Sequence, residues 1–238
     1  MSVFDVLILG SGLAGQSLAL RLADTHKVAL VTKRHLEDSA SAWAQGGIAA
    51  VLDPADSVES HLSDTFIAGA GLCNPVSSRF VVENGARAIR WLIERGVPFT
   101  PDAQSPIGYH LTREGGHGQR RVIHVADATG AAVQATLTEQ VRAHPNIAIF
   151  EQHITVDLIV GPKIGRPDAG CLGAYVLDIQ QDEVRTFAAV GSPEENHSAN
   201  SKMNSSNSMP LRKKGKRDGS EMTQGWSGIG RIQCAFLS

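Results

Sequence analysis

Apolar residues at the start of the chain change from the density of a strand to the spacing of a helix and back, which predicts a β-α-β unit. The run VFDVLILG is short, rich in β-forming residues and ends in glycine. In GLAGQSLALRLAD, Leu13, Leu18 and Leu22 recur at helical spacing, and KVALVTK reads as the next strand. A helix between two such strands indicates a parallel pair joined by a crossover.

Two longer helices are predicted next, in DSVESHLSDTFIAGAG and NPVSSRFVVENGARAIRWLIERG, and both are expected to cover the sheet. The second has Asn74 as its N-cap, Pro75 at its first position and Gly96 after its end. From residue 98 to 118 the periodicity is lost, which predicts a long polar loop. A short strand, RVIHV, and a helix starting near Thr129 and ending at HPN follow.

Three β-type runs, NIAIFEQHITVDLIV, CLGAYVLDI and VRTFAAV, predict a small antiparallel meander. The predicted fold class is therefore α/β: a Rossmann-like domain over residues 1–190 with a parallel sheet and a meander. No further apolar strand follows Ala189 in the sequence. Residues 191–238 are rich in Ser, Asn, Gly and Lys and predict an unrelated, disordered tail.

Composition narrows the function classes. A net charge of -2 argues against a nucleic-acid partner, and the basic run RKKGKR lies in the predicted tail. Cys73, Cys171 and Cys234 are far apart and form no C-x-x-C pair, which argues against a disulfide framework or a zinc site and fits a reducing cytosol. No signal peptide and no apolar run of membrane-spanning length are found, so a cytoplasmic protein without a membrane partner is expected.

The first chemical motif is GSGLAG, which follows a strand and opens a helix. This context predicts a dinucleotide whose pyrophosphate lies at the helix N-terminus, although a glycine-rich turn without a ligand is the alternative. The candidate residues are Gly10, Ser11, Gly12, Leu13, Ala14 and Gly15. NAD and FAD share the motif. Lys33 stands near the place of the usual ribose-binding acid, either as a cation for a phosphate or as a solvated strand end, and it departs from the NAD pattern.

Several longer stretches then carry a family resemblance. They are GSGLAGQSLALRLA, LVTK, SAWAQGGIAAVL, HLSDTFIAGAGLC, YHLTREGGHGQRRVIHVADATG and HPNI. Between about Asp5 and Ala189 they resemble the N-terminal part of the L-aspartate oxidases, within the succinate dehydrogenase and fumarate reductase flavoprotein superfamily. The resemblance implies FAD as the cofactor.

The resemblance implies that the segment around A-Q-G-G lies beside the flavin. Its residues are Ala40, Ser41, Ala42, Trp43, Ala44, Gln45, Gly46 and Gly47. Small side chains there leave room for a flat ring. Ser41 can hydrogen-bond the phosphate or ribitol of FAD, and Gln45 the flavin or the backbone; a glycine-rich turn packed under the sheet is the alternative. Respiratory relatives carry the histidine that binds FAD covalently where this chain has Ala40, so noncovalent FAD is expected and His35 is read as a surface residue.

The resemblance also assigns roles in REGGHG. Glu114 is expected to pair with the ammonium of L-aspartate, and His117 to donate to a substrate carboxylate; a solvated polar loop is the alternative for both. Arg113, Arg120 or Arg121 is expected to add positive charge. His124 and Asp127 are expected to orient strand and helix ends.

The implied reaction is the oxidation of L-aspartate to iminoaspartate with oxygen or fumarate as acceptor, the first step of NAD biosynthesis, with quinolinate synthase as a further expected partner. In this family an apolar strand that rejoins the parallel sheet, and then a capping domain, follow the equivalent of VRTFAA. Neither follows Ala189 here, so the resemblance implies that the FAD-binding domain is incomplete and that the chain oxidises little aspartate by itself. Three alternatives stay open: an inactive FAD-binding fragment, a fumarate reductase or succinate dehydrogenase type flavoprotein, and an NAD-dependent dehydrogenase. Lys33 and SAWAQGG count against the last.

Overall fold

A computed structural model describes residues 3–126, 128–189 and 235–236 of the chain. Its helices are α1 (Leu13–Leu22), α2 (Val58–Ala68), α3 (Pro75–Glu94) and α4 (Thr129–Ala143). Its first strands are β1 (Val3–Phe4), β2 (Val6–Leu9), β3 (Val28–Val31), β4 (Ile48–Ala49), β5 (Leu111–Thr112) and β6 (Val122–Ile123). The later strands are β7 (Ile147–Phe150), β8 (His153–Val160), β9 (Cys171–Asp178), β10 (Glu183–Ala189) and β11 (Ala235–Phe236).

The predicted β-α-β unit is confirmed at the centre of the fold. β2 and β3 run parallel with α1 between them in sequence, and β7 adds a third parallel strand on the other side of β3. The strand order is β11-β2-β3-β7. Because the strands are parallel, their carboxyl ends meet at one edge, and the turn from β2 into α1 lies there.

The two faces of this sheet bury different layers, as the alternation of side chains along a strand requires. On one face Ile8, Val28 and Leu30 share a core with residues of α1 and α4. On the other face the alternate positions pack against the meander, in a core of Leu7, Leu9, Ala29, Val31, Ala174, Val176 and Phe187. The domain therefore has three layers, with the parallel sheet in the middle.

The predicted meander is confirmed in β8, β9 and β10, which pair antiparallel in that order. The run NIAIFEQHITVDLIV is not one strand, however. It breaks at Glu151–Gln152, where Gln152 has a φ of 56°, and its first part is β7 of the parallel sheet. β1 extends the meander by pairing parallel with β10.

Helices α2 and α3 pack mainly on each other, so the prediction that both cover the sheet is wrong. The helical face of the parallel sheet is taken by α1 and α4, while α3 adds the buried Ile89 to that core. The predicted start of α3 is confirmed, because Asn74 Oδ1 accepts a hydrogen bond from Ser77 N at 3.0 Å and Pro75 is the first helical residue.

A second correction concerns the predicted loop of residues 98–118, which contains β5. Together with β4 and β6, β5 forms a small antiparallel sheet of order β4-β6-β5. Ile48 and Leu111 both pair with Ile123. A strand of two residues is too short to produce an alternating pattern in sequence. This sheet positions the candidate site, since the residues beside its strands line one cavity.

Strand β11 pairs parallel with β2, where Ala235 is opposite Ile8 and Phe236 is opposite Leu9. It occupies the edge of the parallel sheet that the sequence analysis leaves without a neighbour. The rest of the predicted disordered tail lies outside the described residues. Within the described ranges, no helix combines the length and the apolar character needed to cross a membrane.

Candidate functional site

The turn between β2 and α1 has the backbone that its three glycines predict. Gly10 has a φ of 111°, a left-handed conformation that favours glycine, and its N–H donates to Val31 O at 2.8 Å. Gly12 is the N-cap of α1, and no acidic residue stands in the first turn. A Cβ on Gly15 would overlap the carbonyl oxygen of Gly10. The start of α1 is therefore held close to β2 and presents its first amides without a negative charge beside them.

A buried polar network behind this turn was not predicted from the sequence. The carbonyl of Ser11 accepts hydrogen bonds from Gln16 Nε2 at 2.9 Å and from Gln134 Nε2 at 3.1 Å. The hydroxyl of Ser11 lies 2.9 Å from that of Thr32, at the end of β3. Gln134 also donates to Leu36 O at 3.0 Å. Because Gln134 belongs to α4, this helix fixes both the turn and the segment that follows β3.

The segment containing A-Q-G-G begins with a short 3-10 helix, Ala40–Trp43, that lies against the turn. Ser41 Oγ accepts a hydrogen bond from Leu13 N at 3.4 Å. Gly130, at the start of α4, donates its N–H to Ala44 O at 3.0 Å, and a Cβ on Gly130 would overlap Ser41 O. Two stretches that are about 30 residues apart in sequence are thus in direct contact through Ser41.

The remaining residues predicted for the cofactor are more exposed. Lys33 follows β3 with an exposed side chain, and Ala40 is also exposed. Trp43 has 82% of its surface accessible. His35 lies on the surface, with its Nδ1 3.8 Å from Glu151 Oε2. The structure therefore brings Ser41, but neither Lys33 nor His35, into contact with the glycine turn.

A cavity of about 550 Å³ opens beside the small sheet. Gln45, Gly46 and Gly47 form one part of its wall, ahead of β4, and a Cβ on Gly46 would lie 3.9 Å from Glu114 Oε2. The remaining lining residues are Thr112, Glu114, His124 and Ala126. A carboxylate therefore faces the same space as the glycines that the sequence analysis places beside a flat ring.

The second predicted substrate residue, His117, is not among the residues lining this cavity. Its Nδ1 lies 3.4 Å from Arg121 Nη1, and its ring is stacked edge to face on His61 with centroids 5.5 Å apart. His124, which was predicted to orient strand and helix ends, takes a place in the cavity wall instead. Asp127, predicted for the same role, lies outside the described residues.

Of the three arginines offered as sources of positive charge, Arg121 is not available to the site, because its charge is neutralised inside the protein. Its side chain is fully buried and donates to both oxygens of Asp56, at 2.8 and 2.9 Å, and to Asp64 Oδ2 at 2.6 Å. Ser60 Oγ accepts a further bond at 3.0 Å. Arg121 therefore ties the end of the REGGHG loop to the start of α2.

This cluster shifts the ionisation of its members. Burial disfavours the charged form of Asp56, but the hydrogen bonds from Arg121 outweigh it and lower the pKa of this carboxyl. The N–H of Gly118, followed by Arg121, lowers the pKa of Asp64. Burial, followed by the charge of Arg121, lowers the pKa of His61, whose Nδ1 is buried without a hydrogen-bond partner in the described structure. The cluster thus favours the ionised forms of Asp56 and Asp64 and the neutral form of His61.

The other two arginines differ from Arg121. Arg113 is exposed and makes no hydrogen bond within the described ranges. Arg120 Nε donates to Leu111 O at 2.8 Å, and its Nη2 lies 3.2 Å from His110 Nε2. His110 Nδ1 is in turn 2.8 Å from His124 Nε2. This contact between two histidines was not predicted from the sequence.

Comparison with known proteins gives consistent matches. The family model described as FAD binding domain matches residues 5–193. The chain is 56% identical over 186 residues to L-aspartate oxidase 1 of Ralstonia nicotianae, which covers 78% of this chain and 35% of that protein. It is 54% identical over 190 residues to L-aspartate oxidase of Pseudomonas aeruginosa, with the same coverage of both chains. The chain thus spans about a third of the length of these curated relatives.

The fold has a matching solved relative. The FrdA chain of a mutant E. coli quinol fumarate reductase superposes with a TM-score of 0.72 and 26% sequence identity. The match covers 80% of this chain and 32% of that one. The predicted α/β class and the predicted family resemblance are both confirmed by these matches.

Proposed function

Because the chain belongs to the FAD-binding domain family, we propose that its residues 10–15 and 40–47 hold FAD noncovalently and serve the oxidation of L-aspartate to iminoaspartate. FAD is the cofactor that this family indicates. The reaction is proposed for the enzyme of which this chain matches about a third. The observation that carries the proposal is the contact of the two segments: Ser41 Oγ would be only 3.6 Å from a Cβ on Gly12.

The described residues fit a dinucleotide with a pyrophosphate. The first amides of α1 are oriented toward the turn, and the absence of acidic residues from that turn avoids repulsion of phosphate. Gly46 leaves open space at the cavity of about 550 Å³, since a Cβ there would approach nothing closer than Glu114 Oε2 at 3.9 Å, whereas Gly47 lets the segment pack closely on Val122 and Ile123 of β6. Ala40 has no nucleophilic atom, which supports noncovalent binding.

Within this proposal the protein orients the amino acid and the cofactor supplies the redox chemistry. FAD held by residues 10–15 and 40–47 would supply the acceptor for the hydride of the substrate α-carbon. Glu114 holds the substrate ammonium by a charge-assisted hydrogen bond, which fixes the α-carbon near the wall formed by Gly46 and Gly47. Oxygen or fumarate is proposed as the final acceptor. Quinolinate synthase, which consumes the product in NAD biosynthesis, is proposed as a partner.

The test of cofactor binding uses the purified chain and added FAD. We expect FAD fluorescence to be quenched on binding, while NAD in excess does not displace it. After denaturation and precipitation, the yellow colour is expected in the supernatant. Flavin that stays with the pellet would contradict noncovalent binding, and displacement by NAD would contradict the choice of cofactor.

The test of the substrate uses Glu114→Gln in a chain extended to the length of its relatives. We expect kcat/KM for aspartate oxidation to fall about tenfold or more, because a hydrogen bond to a charged group contributes roughly 1.5–3 kcal/mol. Fumarate reduction, which involves no ammonium, is expected to change little. Glu94→Gln, the same change at an exposed glutamate of α3 that does not line the cavity, is the matched control. Equal losses for both substrates would remove the assignment of Glu114.

A further inference from the structure

A row of three side chains connects the cavity described above to a second one. The second cavity, of about 320 Å³, is lined by Asp53, Asp102, Ser105, Pro106, His110, Leu111 and Arg120. Arg120 Nη2 lies 3.2 Å from His110 Nε2, and His110 Nδ1 lies 2.8 Å from His124 Nε2. The two imidazole rings are nearly perpendicular, with centroids 5.2 Å apart. His124 completes the row in the wall of the first cavity.

Arg120 determines which nitrogen donates and which accepts in each hydrogen bond of this row. A guanidinium can only donate hydrogen bonds, so His110 Nε2 must accept from Arg120. A neutral His110 then carries its hydrogen on Nδ1 and donates it to His124 Nε2. His124, having accepted at Nε2, carries its own hydrogen on Nδ1. Both short contacts are satisfied by this one arrangement of hydrogens.

The consequence lies at the cavity wall. Nδ1 of His124 makes no hydrogen bond to any group in the described part of the chain, while the ring lines the cavity. Glu114 lines the same cavity and, when ionised, can only accept. An amino acid carries an ammonium and carboxylates. A wall with one carboxylate and one N–H donor is complementary to both ends of such a ligand.

We propose that His124 is a substrate-binding residue that donates its Nδ1–H to a carboxylate of the bound amino acid. Arg120 is the positioning residue, since it fixes the hydrogen on His124 through His110. The carboxylate role rests on the proposed function, from which the amino-acid substrate is taken. The arrangement of hydrogens does not depend on it. His124 thereby takes the role predicted for His117, whose Nδ1 faces Arg121.

The first experiment measures the tautomers in the whole chain labelled with ¹⁵N-histidine. Long-range ¹H–¹⁵N correlation spectra separate Nδ1–H from Nε2–H rings. We expect the Nδ1–H form for both His110 and His124, a shift toward Nε2–H in Arg120→Ala, and recovery in Arg120→Lys, because lysine also only donates. Arg113→Ala is the control and is expected to leave both rings unchanged. An Nε2–H form of His124 in the unmodified chain would overturn the assignment without recourse to any variant.

The second experiment titrates the FAD-loaded chain with succinate and with L-aspartate while the ring signals of His124 are followed. We expect both ligands to shift these signals and His124→Phe to weaken both about tenfold or more, since the lost bond is to a charged group. Glu114→Gln is expected to weaken aspartate alone. If FAD does not bind, the proposed function fails while the tautomer result stands. The proposed role of His124 is wrong if FAD binds but succinate leaves the ring signals of His124 unchanged and binds equally well to the unmodified chain and to His124→Phe.

Discussion

Replacement of the buried Arg121 is expected to destabilise the chain far more than replacement of an exposed arginine that also contacts two carboxylates. Arg121 is 0% exposed, and its partner Asp56 has a side chain that is 2% exposed. In Arg121→Met the apolar stem is kept and the guanidinium is lost, so the Asp56 carboxylate stays buried without its counter-charge. Breaking a buried ion pair from one side costs about 3–5 kcal/mol, a large part of the stability of a typical domain.

Arg79 provides the matched control. It also contacts two carboxylates, Glu59 at 2.9 Å and Glu83 at 3.3 Å, but its side chain is 47% exposed. Exposed ion pairs contribute little to stability, so Arg79→Met is expected to change the free energy of unfolding far less than Arg121→Met does.

The assay is urea-induced unfolding of the three proteins, followed by far-UV circular dichroism. A further variant, Arg121→Met with Asp56→Leu, is expected to recover part of the loss, because it removes the uncompensated carboxylate. If Arg121→Met and Arg79→Met cost the same, or if the double variant is less stable than Arg121→Met, the cluster does not act through buried charge. The reasoning that ties the REGGHG loop to α2 would then be refuted.

Two other perturbations test the packing of the site and its response to pH. Gly130→Ala is expected to lower the affinity for FAD at least tenfold, because its Cβ would overlap Ser41 O. Gly115→Ala is the control, since a Cβ there would meet open space and the affinity should be unchanged. Fluorescence titration measures both affinities, and equal values would contradict the packing argument. The free energy of unfolding is expected to fall as pH decreases below 6.5, the ordinary pKa of histidine. Because the pKa of His61 is lowered in the folded state, the unfolded chain binds this proton more readily than the folded chain does. The free energy of unfolding should fall again below 3.8, as pH passes through the lowered pKa values of Asp56 and Asp64. Free energies of unfolding measured from pH 8 to 3 check both decreases. His61→Gln should make the decrease near pH 6.5 smaller, and a stability that rises as pH falls toward 5 would contradict the predicted direction.

Features that depend on residues close together along the chain could be predicted from the sequence. The glycine turn at residues 10–15 and the cap at Asn74 need only a local backbone conformation, and both are found as predicted. The antiparallel meander likewise joins successive strands. Such features follow from local propensity, which tertiary contacts here reinforce.

The contacts missed by sequence reasoning join residues that are distant along the chain. Gln134 reaches the Ser11 carbonyl across more than half of the described domain, and no local pattern marks it as different from any other helical glutamine. The REGGHG motif predicts charged residues near a substrate, but it does not say which side chains are used up by the protein itself. The charge of Arg121 is neutralised by Asp56 and Asp64, which lie just before and within α2, and only the tertiary structure distinguishes this arginine from Arg120.

The connection between β3 and β7 constrains the order in which the domain assembles. Leu30 pairs with Ile149, and everything from the 3-10 helix through α2, α3 and the small sheet to α4 is inserted between them. During synthesis, β2, α1 and β3 leave the ribosome early, yet β3 must wait for its second neighbour until the inserted residues have emerged. Such long-range pairing is slow, because loop-closure entropy is lost before the strands gain contact. In the meantime the apolar edge of β3 is exposed, which makes this nascent stage one at which aggregation competes with folding.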